Sequence, residues 1–221
     1  MSQNLQGLYT IADNQFRPDK SHVQLAEAFL RGGAKIVQLR MKKDHGLWTM
    51  DCGPETIARN IMMLKKKYDF TFIVNDFVDV ALEVGADGIH VGANDMPVQE
   101  VRRKVGSKML IGYSSHSLAE ALVAEKAGAD YVAFGAIFPT KTKGPGHPVQ
   151  SLEKLRKVVE TLKVPVVAIG GIGRKNFNQV LETGVASVAM ITALTGAPDI
   201  AEVTRYFAKR TIIDYGPRTM D

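Results

Sequence analysis

Short apolar segments alternate with longer segments of helical periodicity along the chain. The apolar segments are nearly continuous, as in parallel strands that are buried on both faces. We predict strands at residues 8–12, 36–39, 72–74, 88–91, 110–113, 131–134, 166–169 and 187–191. Helices are predicted near residues 22–32, 54–67, 78–84, 97–105, 118–127, 151–162, 176–183 and 198–210. Eight successive strand–helix units indicate an α/β protein with a parallel sheet.

Glycine recurs between a predicted helix and the next strand, where it permits the left-handed residue that ends many helices. The repeats are Gly32-Gly33-Ala34-Lys35, Gly85-Ala86-Asp87-Gly88, Gly128-Ala129-Asp130-Tyr131 and Gly184-Val185-Ala186-Ser187. An open, doubly wound sheet would show the same alternation of elements. Eight units in 221 residues favour closure, so the predicted fold is a TIM (β/α)8 barrel forming a single domain over residues 1–221.

Composition narrows the class of protein. The chain is 45% hydrophobic and 23% charged, which is ordinary for a globular protein, and its formal net charge of +5 is spread along the sequence. It shows no secretory leader, no apolar segment of membrane-spanning length and no nucleic-acid-binding motif. The single cysteine, Cys52, excludes an internal disulfide. We therefore expect a cytoplasmic protein whose partners are anionic small molecules, not nucleic acid or membranes, with homo-oligomerisation left open.

Polar residues gather at the carboxyl ends of the predicted strands, where barrels of this kind carry their sites. Gln38, Arg40 and Lys42 alternate along an extended segment and so lie on one side of it. An amide, a guanidinium and an ammonium group there suit a phosphate or pyrophosphate. The alternative is that Arg40 and Lys42 pair with local carboxylates.

Asp76 and Asp95 follow two adjacent strands. Mg²⁺ is commonly held by one or two carboxylates together with water and substrate phosphates, so the two residues form a candidate magnesium site. The alternative is that each carboxylate caps the helix that follows it, particularly Asp95 before the helix starting at Pro97.

Two further loops have the residue types of anion sites. Thr140, Thr142 and Lys143 lie between Pro139 and the glycines that follow, in a segment that either grips and covers an anion or is an ordinary surface loop. Gly170-Gly171 follows the seventh strand, at the place where such barrels bind phosphate, and is otherwise a tight turn.

The histidines do not form a metal-binding pattern. We predict that His90 is a buried, hydrogen-bonded barrel residue and that His116 orients a neighbouring group. Ser114 and His116 are not a hydrolase dyad on spacing alone, and no Gly-x-Ser-x-Gly motif is present. The remaining histidines, His22, His45 and His147, are interpreted as loop or cap residues.

Taken together in order, these motifs resemble the thiamine-phosphate synthase family. The segments that carry the resemblance are Gln38-Leu39-Arg40-Met41-Lys42, Val74-Asn75-Asp76, Gly88-Ile89-His90-Val91-Gly92 with Asp95, Gly112-Tyr113-Ser114-Ser115-His116, Gly128-Ala129-Asp130-Tyr131 through Pro139-Thr140-Lys141-Thr142-Lys143, and Ile169-Gly170-Gly171-Ile172. The chain departs from the usual family pattern at Met41, where the family has Glu, and at Ala93-Asn94, where it has Gln-Glu.

The resemblance implies an Mg²⁺-dependent transferase of thiamine biosynthesis. Such an enzyme joins 4-amino-2-methyl-5-hydroxymethylpyrimidine pyrophosphate to 4-methyl-5-(2-hydroxyethyl)thiazole phosphate and releases pyrophosphate. The implied pyrimidine-pyrophosphate ligands are Gln38, Arg40, Lys42, Asn75, Ser114 and Lys143, with Arg40, Lys42, Ser114 and Lys143 serving catalysis. The implied Mg²⁺ ligands are Asp76 and Asp95, and the implied thiazole-phosphate residues are Thr140, Lys141, Thr142, Gly171, Ile191 and Thr192.

Two alternatives to this function are open at the level of sequence. One is a thiazole tautomerase of the same fold, which needs neither Mg²⁺ nor pyrophosphate. That group tends to lack the paired aspartates and the Thr-x-Thr-Lys loop, both of which this chain has. The other is a non-catalytic barrel that binds a phosphorylated metabolite, with Met41 and Ala93 as the departures that favour it.

Overall fold

The computed structural model describes residues 5–41, 53–140, 142 and 148–211. The strands are β1 (Gly7–Ala12), β2 (Ile36–Leu39), β3 (Thr71–Asn75), β4 (Gly88–Val91), β5 (Leu110–Ser115), β6 (Tyr131–Gly135), β7 (Val166–Ile169) and β8 (Ser187–Met190). The helices are α1 (His22–Arg31), α2 (Pro54–Met63), α3 (Val78–Val84), α4 (Val98–Val105), α5 (Leu118–Lys126), α6 (Leu152–Thr161), α7 (Phe177–Leu181), α8 (Thr192–Thr195) and α9 (Ile200–Thr211). Every predicted strand and helix is present, with ends shifted by a few residues. The short α8 was not predicted, because four residues are too few to show a helical period, and neither was a 3-10 turn at Asn14–Phe16.

The strands form a closed parallel barrel in chain order. Closure is made by β1 and β8, where Gly7 lies opposite Ser187 and Thr10 opposite Met190. The predicted TIM barrel is confirmed, and the open-sheet alternative is wrong. All carboxyl ends of the strands therefore meet on one face.

The barrel has two apolar layers, because successive side chains of a strand point to opposite faces of the sheet. Inward-pointing residues fill the barrel, among them Tyr9, Ile36, Ile73, Tyr131 and Val167. Outward-pointing residues pack against the helices in a larger core. The inner layer closes the barrel from below, so a ligand is confined to the side chains and loops at the carboxyl ends.

Two Gly-Ala-Asp segments, residues 85–87 and 128–130, join α3 to β4 and α5 to β6 at the opposite face of the barrel. The glycines have positive φ values: 67° at Gly85 and 99° at Gly128. The aspartates fix strand ends, since Asp87 accepts a hydrogen bond from the backbone N–H of Phe72 at 2.6 Å and Asp130 accepts one from that of Ile111 at 2.7 Å. These repeats have a structural purpose at the amino ends of the strands, away from the predicted site.

In the part of the chain that the structure describes, no helix has both the length and the apolar character needed to cross a membrane.

Candidate active site

A cleft opens at the carboxyl ends of the strands, with about 760 Å³ of empty space that includes some open solvent. The predicted site residues that line it are Gln38, Arg40, Asn75, Ser114, Thr140, Thr142, Gly171, Ile191 and Thr192. Three predicted residues, Lys42, Lys141 and Lys143, lie outside the described residues. The structure thus brings together groups from strands that are far apart in the sequence.

The pleat of β2 directs Gln38 and Arg40 into the cleft, as the alternation of the sequence predicted. Arg40 also forms an ion pair with Asp13, which follows β1. The Asp13 side chain is 5% exposed and accepts a hydrogen bond from the backbone N–H of Gln15 at 3.0 Å. Because a guanidinium has five N–H donors, the pair with Asp13 leaves donors of Arg40 for a ligand. Both interpretations of Arg40 therefore hold: it is paired with a carboxylate, and it lines the cleft.

Asp76 and Asp95 lie side by side beyond the ends of β3 and β4. Asp76 has a left-handed backbone with φ of 65°, and its N–H donates to the carbonyl oxygen of His90 at 2.9 Å. Asp95 is held by the backbone N–H of Gly92, which donates to its carboxylate at 2.7 Å. Neither aspartate caps a helix, since the N-cap residues of α3 and α4 are Phe77 and Pro97, and neither helix has a side-chain cap. The capping alternative is wrong for both residues.

The two carboxyl groups are close enough to share a hydrogen bond. Solvent reaches Asp76, but the surrounding strand ends shield part of its carboxyl group, and this desolvation raises its pKa to about 7. The nearby Asp95 carboxylate adds to the rise, whereas Arg40 and Asn75 oppose it. Two carboxyl groups held against each other in this way are a hard-oxygen donor set, and a bound cation would stabilise the form in which both are ionised.

The other half of the cleft is formed by the loops after β6, β7 and β8. The hydroxyls of Thr140 and Thr142 lie 3.0 Å apart, and the Thr142 N–H donates to Thr140 Oγ1 at 3.3 Å. Ile191 and Thr192 complete this half, at the end of β8 and the start of α8. Among the described residues, this half has hydroxyls, backbone groups and apolar side chains, where the first half has a guanidinium and amides. Asp76 and Asp95 do not line the cleft themselves, but Asp76 lies beside Arg40 and Asn75, which do.

Gly170 and Gly171 have φ values of 102° and 66°. A Cβ atom on Gly171 would lie 2.6 Å from the Pro139 carbonyl oxygen, and one on Gly170 would lie 2.5 Å from the Ala136 Cβ. The glycines are thus required by the contact between the β6 and β7 loops. That requirement holds whether or not a phosphate binds there.

His90 is hydrogen-bonded inside the barrel, as predicted. Its Nε2 lies 2.8 Å from the Ser114 hydroxyl and its Nδ1 lies 3.0 Å from the Tyr131 hydroxyl. His116 Nδ1 lies 2.6 Å from the Gly135 carbonyl oxygen, where it can orient the end of β6. The histidine that contacts Ser114 is therefore His90 rather than His116.

His22 differs from the prediction of a loop or cap residue. It is the first residue of α1 and is 6% exposed, and burial lowers its pKa. Its Nε2 has no hydrogen-bond partner among the described residues. His45 and His147 lie outside the described residues, as does Cys52.

Comparisons with known proteins identify the family of this chain. The chain matches the family model described as thiamine monophosphate synthase over residues 8–194. It belongs to that family. It is 44% identical over 202 residues to the thiamine-phosphate synthase of Pyrococcus furiosus, covering 91% of this chain and 93% of that protein. It is 40% identical over 201 residues to the thiamine-phosphate synthase of Halalkalibacterium halodurans, with the same coverage of 91% and 93%.

A solved structure of thiamine phosphate pyrophosphorylase from Pyrococcus furiosus has the same fold. Its TM-score is 0.81 at 39% identity, and the match covers 95% of this chain and 98% of that one. The family predicted from the sequence motifs is confirmed.

The structure of this member of the thiamine monophosphate synthase family also shows where the departures from the family pattern lie. Met41, where the family usually has Glu, packs against the outer apolar core and does not line the cleft. Ala93 and Asn94 are exposed in the loop that carries Asp95. The substitution at Met41 therefore does not remove a polar group from the cleft.

Sequence reasoning missed several residues in or beside the cleft. Asp13 does not itself line the cleft but pairs with Arg40, and it follows β1 directly, so the rule that sites form at carboxyl strand ends would have found it. Ile11, His90 and Ala189 form part of the cleft wall because they are the last inward-pointing residues of their strands, or nearly so. Ala136 lies just beyond β6. His90 was predicted as a barrel residue but not as part of the cleft wall. Ile11, Ala136 and Ala189 gave no signal, since inward and outward positions look alike in a uniformly apolar strand.

Proposed function

We propose that this protein is a thiamine-phosphate synthase. It would join 4-amino-2-methyl-5-hydroxymethylpyrimidine pyrophosphate to 4-methyl-5-(2-hydroxyethyl)thiazole phosphate, giving thiamine phosphate and pyrophosphate. The observation that carries the proposal is the division of one cleft into a charged half and a hydroxyl- and glycine-lined half. A reaction between one diphosphorylated and one monophosphorylated substrate needs two anion sites that face each other.

The charged half suits the pyrimidine pyrophosphate. Arg40 follows β2 and is held by its ion pair with Asp13, so its planar guanidinium is fixed before a ligand arrives. The amides of Gln38 and Asn75 and the hydroxyl of Ser114 lie around the same part of the cleft. A preorganised donor set of this kind can neutralise charge that develops on a leaving pyrophosphate. By family resemblance, Lys42 and Lys143 would add to it.

Asp76 and Asp95 suit Mg²⁺. The pair supplies only hard oxygen ligands, and the described residues contain no group of three acidic, histidine or cysteine side chains that would hold a metal without help. Mg²⁺ typically takes one or two carboxylates and obtains its remaining ligands from water and substrate phosphates. When bound, the ion would neutralise charge on the pyrophosphate.

The second half suits the thiazole phosphate. Thr140 and Thr142 offer hydroxyls, and the backbone near Gly171 and Thr192 offers N–H groups to a monophosphate. Ile169 and Ile191 supply apolar surface for a ring. The cleft would then hold the thiazole nitrogen opposite the pyrimidine methylene carbon.

The chemistry is a dissociative substitution. The bond between the methylene carbon and the pyrophosphate oxygen breaks, and the electron pair leaves with pyrophosphate. The electron-rich aminopyrimidine carries the positive charge, and the thiazole nitrogen donates its lone pair to form the new carbon–nitrogen bond. No enzyme nucleophile is required, so the tasks of the protein are to orient the two substrates and to stabilise the leaving group.

One assay tests this proposal. The purified protein is incubated with both substrates, with Mg²⁺ or with EDTA, and thiamine phosphate and pyrophosphate are measured together. Equal amounts of both products, formed only with Mg²⁺, are expected. Turnover that is unchanged in EDTA would contradict the magnesium assignment. Isomerisation of the thiazole phosphate alone would identify a tautomerase, and binding without turnover would identify a non-catalytic barrel.

A further inference from the structure

A chain of four hydrogen-bonded side chains crosses the interior of the barrel and ends in the cleft. The Tyr9 hydroxyl lies 2.8 Å from that of Tyr131, and the Tyr131 hydroxyl lies 3.0 Å from His90 Nδ1. His90 Nε2 in turn lies 2.8 Å from the Ser114 hydroxyl, which borders the cleft. The four residues come from β1, β6, β4 and β5, so only the closed barrel brings them together.

The direction in which these side chains donate hydrogen bonds is set at Tyr9, the end away from the cleft. Tyr9 and Tyr131 are 2% and 0% exposed, and burial raises the pKa of both, so each keeps its hydroxyl proton. Among the described residues, Tyr131 is the hydrogen-bond partner of the Tyr9 hydroxyl. If Tyr9 donates to Tyr131, the Tyr131 proton is directed to His90 Nδ1. In the reverse direction Tyr9 would keep a buried O–H group without an acceptor, which is costly.

The remaining bonds follow from the first. An imidazole that accepts at Nδ1 carries its proton at Nε2 when it is neutral, and it therefore donates to Ser114 Oγ. Ser114 then accepts inside the protein, and its own proton points to the cleft. An imidazole protonated at Nδ1 would instead accept the Ser114 proton at Nε2, as the base of a serine nucleophile does.

Gly112 on β5 leaves room for the hydrogen-bonded side chains of Tyr131 and His90. A Cβ atom on Gly112 would lie 2.0 Å from the Tyr131 ring and 2.4 Å from His90 Nδ1. Gly112 lies on β5 two residues before Ser114, on the same face of the strand. The inner face of β5 is thus shaped for the contact between Tyr131 and His90 as well as for Ser114.

We propose that the Tyr9–Tyr131–His90 chain is a positioning device that makes Ser114 a hydrogen-bond donor to the ligand in the charged half of the cleft. In this proposal His90 acts on the ligand through Ser114, as a positioning residue. The inference rests on the proposed function in one respect, which is that this ligand is the departing pyrophosphate. It also excludes Ser114 as a nucleophile activated by His90.

A spectrum tests the direction of the chain without reference to activity. The protein is prepared with isotope-labelled histidine, and a two-bond proton–nitrogen correlation spectrum is recorded, with His90 assigned from the signal lost in His90→Gln. We expect the tautomer protonated at Nε2. A tautomer protonated at Nδ1, or an imidazolium protonated on both nitrogens, would overturn the proposal.

A double-mutant cycle tests the positioning role. Tyr131→Phe is made in the wild type and in Ser114→Ala. In the wild type, Tyr131→Phe should lower kcat by about tenfold, because it weakens one hydrogen bond to a charged group. KM for the thiazole phosphate should not change. In the Ser114→Ala background the same change should have no further effect. An equal loss of kcat in both backgrounds would show that Tyr131 acts through packing and would overturn the proposal.

The matched control is Tyr206→Phe, on α9 outside the barrel, where the ring stacks on Arg174 and Arg210. It should leave kcat within about twofold, since surface substitutions have small effects.

The spectrum uses the unaltered barrel, so it reveals the tautomer of His90 even if Tyr131→Phe does not fold. A protein without synthase activity would refute the proposed function, while the tautomer of His90 would still decide the direction of the chain.

Discussion

The two halves of the cleft are formed by different chemical groups. The half over β2 to β5 uses side chains that carry charge or amide groups, and their positions depend on partners such as Asp13 for Arg40 and Gly92 for Asp95. The half over β6 to β8 uses backbone, glycines and two hydroxyls that bond to each other. The first half should therefore be sensitive to the loss of a side chain, and the second to the addition of one.

The largest effect is expected for Asp76→Asn. Asparagine is nearly isosteric and tolerates the left-handed φ, so the fold should survive. Removing the negative charge should lower Mg²⁺-dependent kcat/KM by about a hundredfold or more. Steady-state rates over a range of Mg²⁺ concentrations measure kcat/KM, and a thermal melt shows whether the fold survives.

The control is Asp79→Asn on α3, which loses an exposed ion pair with Lys104 and should keep wild-type rates. Wild-type activity in Asp76→Asn would refute the metal assignment.

Arg40→Ala should affect one substrate far more than the other. We expect KM for the pyrimidine pyrophosphate to rise by about ten- to a hundredfold, the range for a lost charge-assisted hydrogen bond, with little change for the thiazole phosphate. Because Asp13 loses its partner, the variant should also be less stable. The double variant with Asp13→Asn should recover stability without recovering affinity.

The control for Arg40 is a second arginine that is paired with an aspartate. Arg102 bonds to Asp130 and to the carbonyl oxygens of Gly106, Met109 and Gly128, far from the cleft. Arg102→Ala should lower the melting temperature and leave both KM values unchanged. Equal losses of affinity for the two substrates in Arg40→Ala would mean that Arg40 is purely structural.

Gly171→Ala tests the second half by adding a methyl group. The new Cβ would strike the Pro139 and Phe138 carbonyl oxygens, and φ of 66° disfavours alanine, so about 1–3 kcal/mol of strain is expected. KM for the thiazole phosphate should rise by about tenfold, the factor that 1.4 kcal/mol gives, while KM for the pyrimidine substrate changes less. Gly173→Ala is the control, since its Cβ would meet no atom within 4 Å. A selective effect on the pyrimidine substrate would contradict the division of the cleft.

The smallest effect is expected for Thr142→Val. It removes one hydroxyl from the second half at nearly constant volume, so KM for the thiazole phosphate should rise by about three- to tenfold, as for a single hydrogen bond. Thr161→Val is the control, because its hydroxyl bonds to the Lys157 carbonyl oxygen on α6. Titration of each variant with thiazole phosphate gives the comparison. No difference between the two variants would remove Thr142 from the phosphate site.

The sequence predicted the barrel, because its signal is local and repeated. Apolar runs of strand length and helical periods recur along the chain, glycines precede several of the strands, and no single repeat has to be interpreted correctly. The ends of β2, β3 and β4 also identified Gln38, Arg40, Asp76 and Asp95 as site candidates. What these residues do was left open between ligand binding and local pairing, since both use the same side chains.

The sequence by itself determined the order of the elements, the face on which the site lies and the family. Only the tertiary structure decided which partners the polar groups take: Arg40 with Asp13, Asp76 beside Asp95, and His90 between Tyr131 and Ser114. The physical reason is that strand periodicity fixes the direction of a side chain relative to its own strand, whereas these contacts depend on register between strands. In a closed barrel, register is set by the packing of all eight strands together.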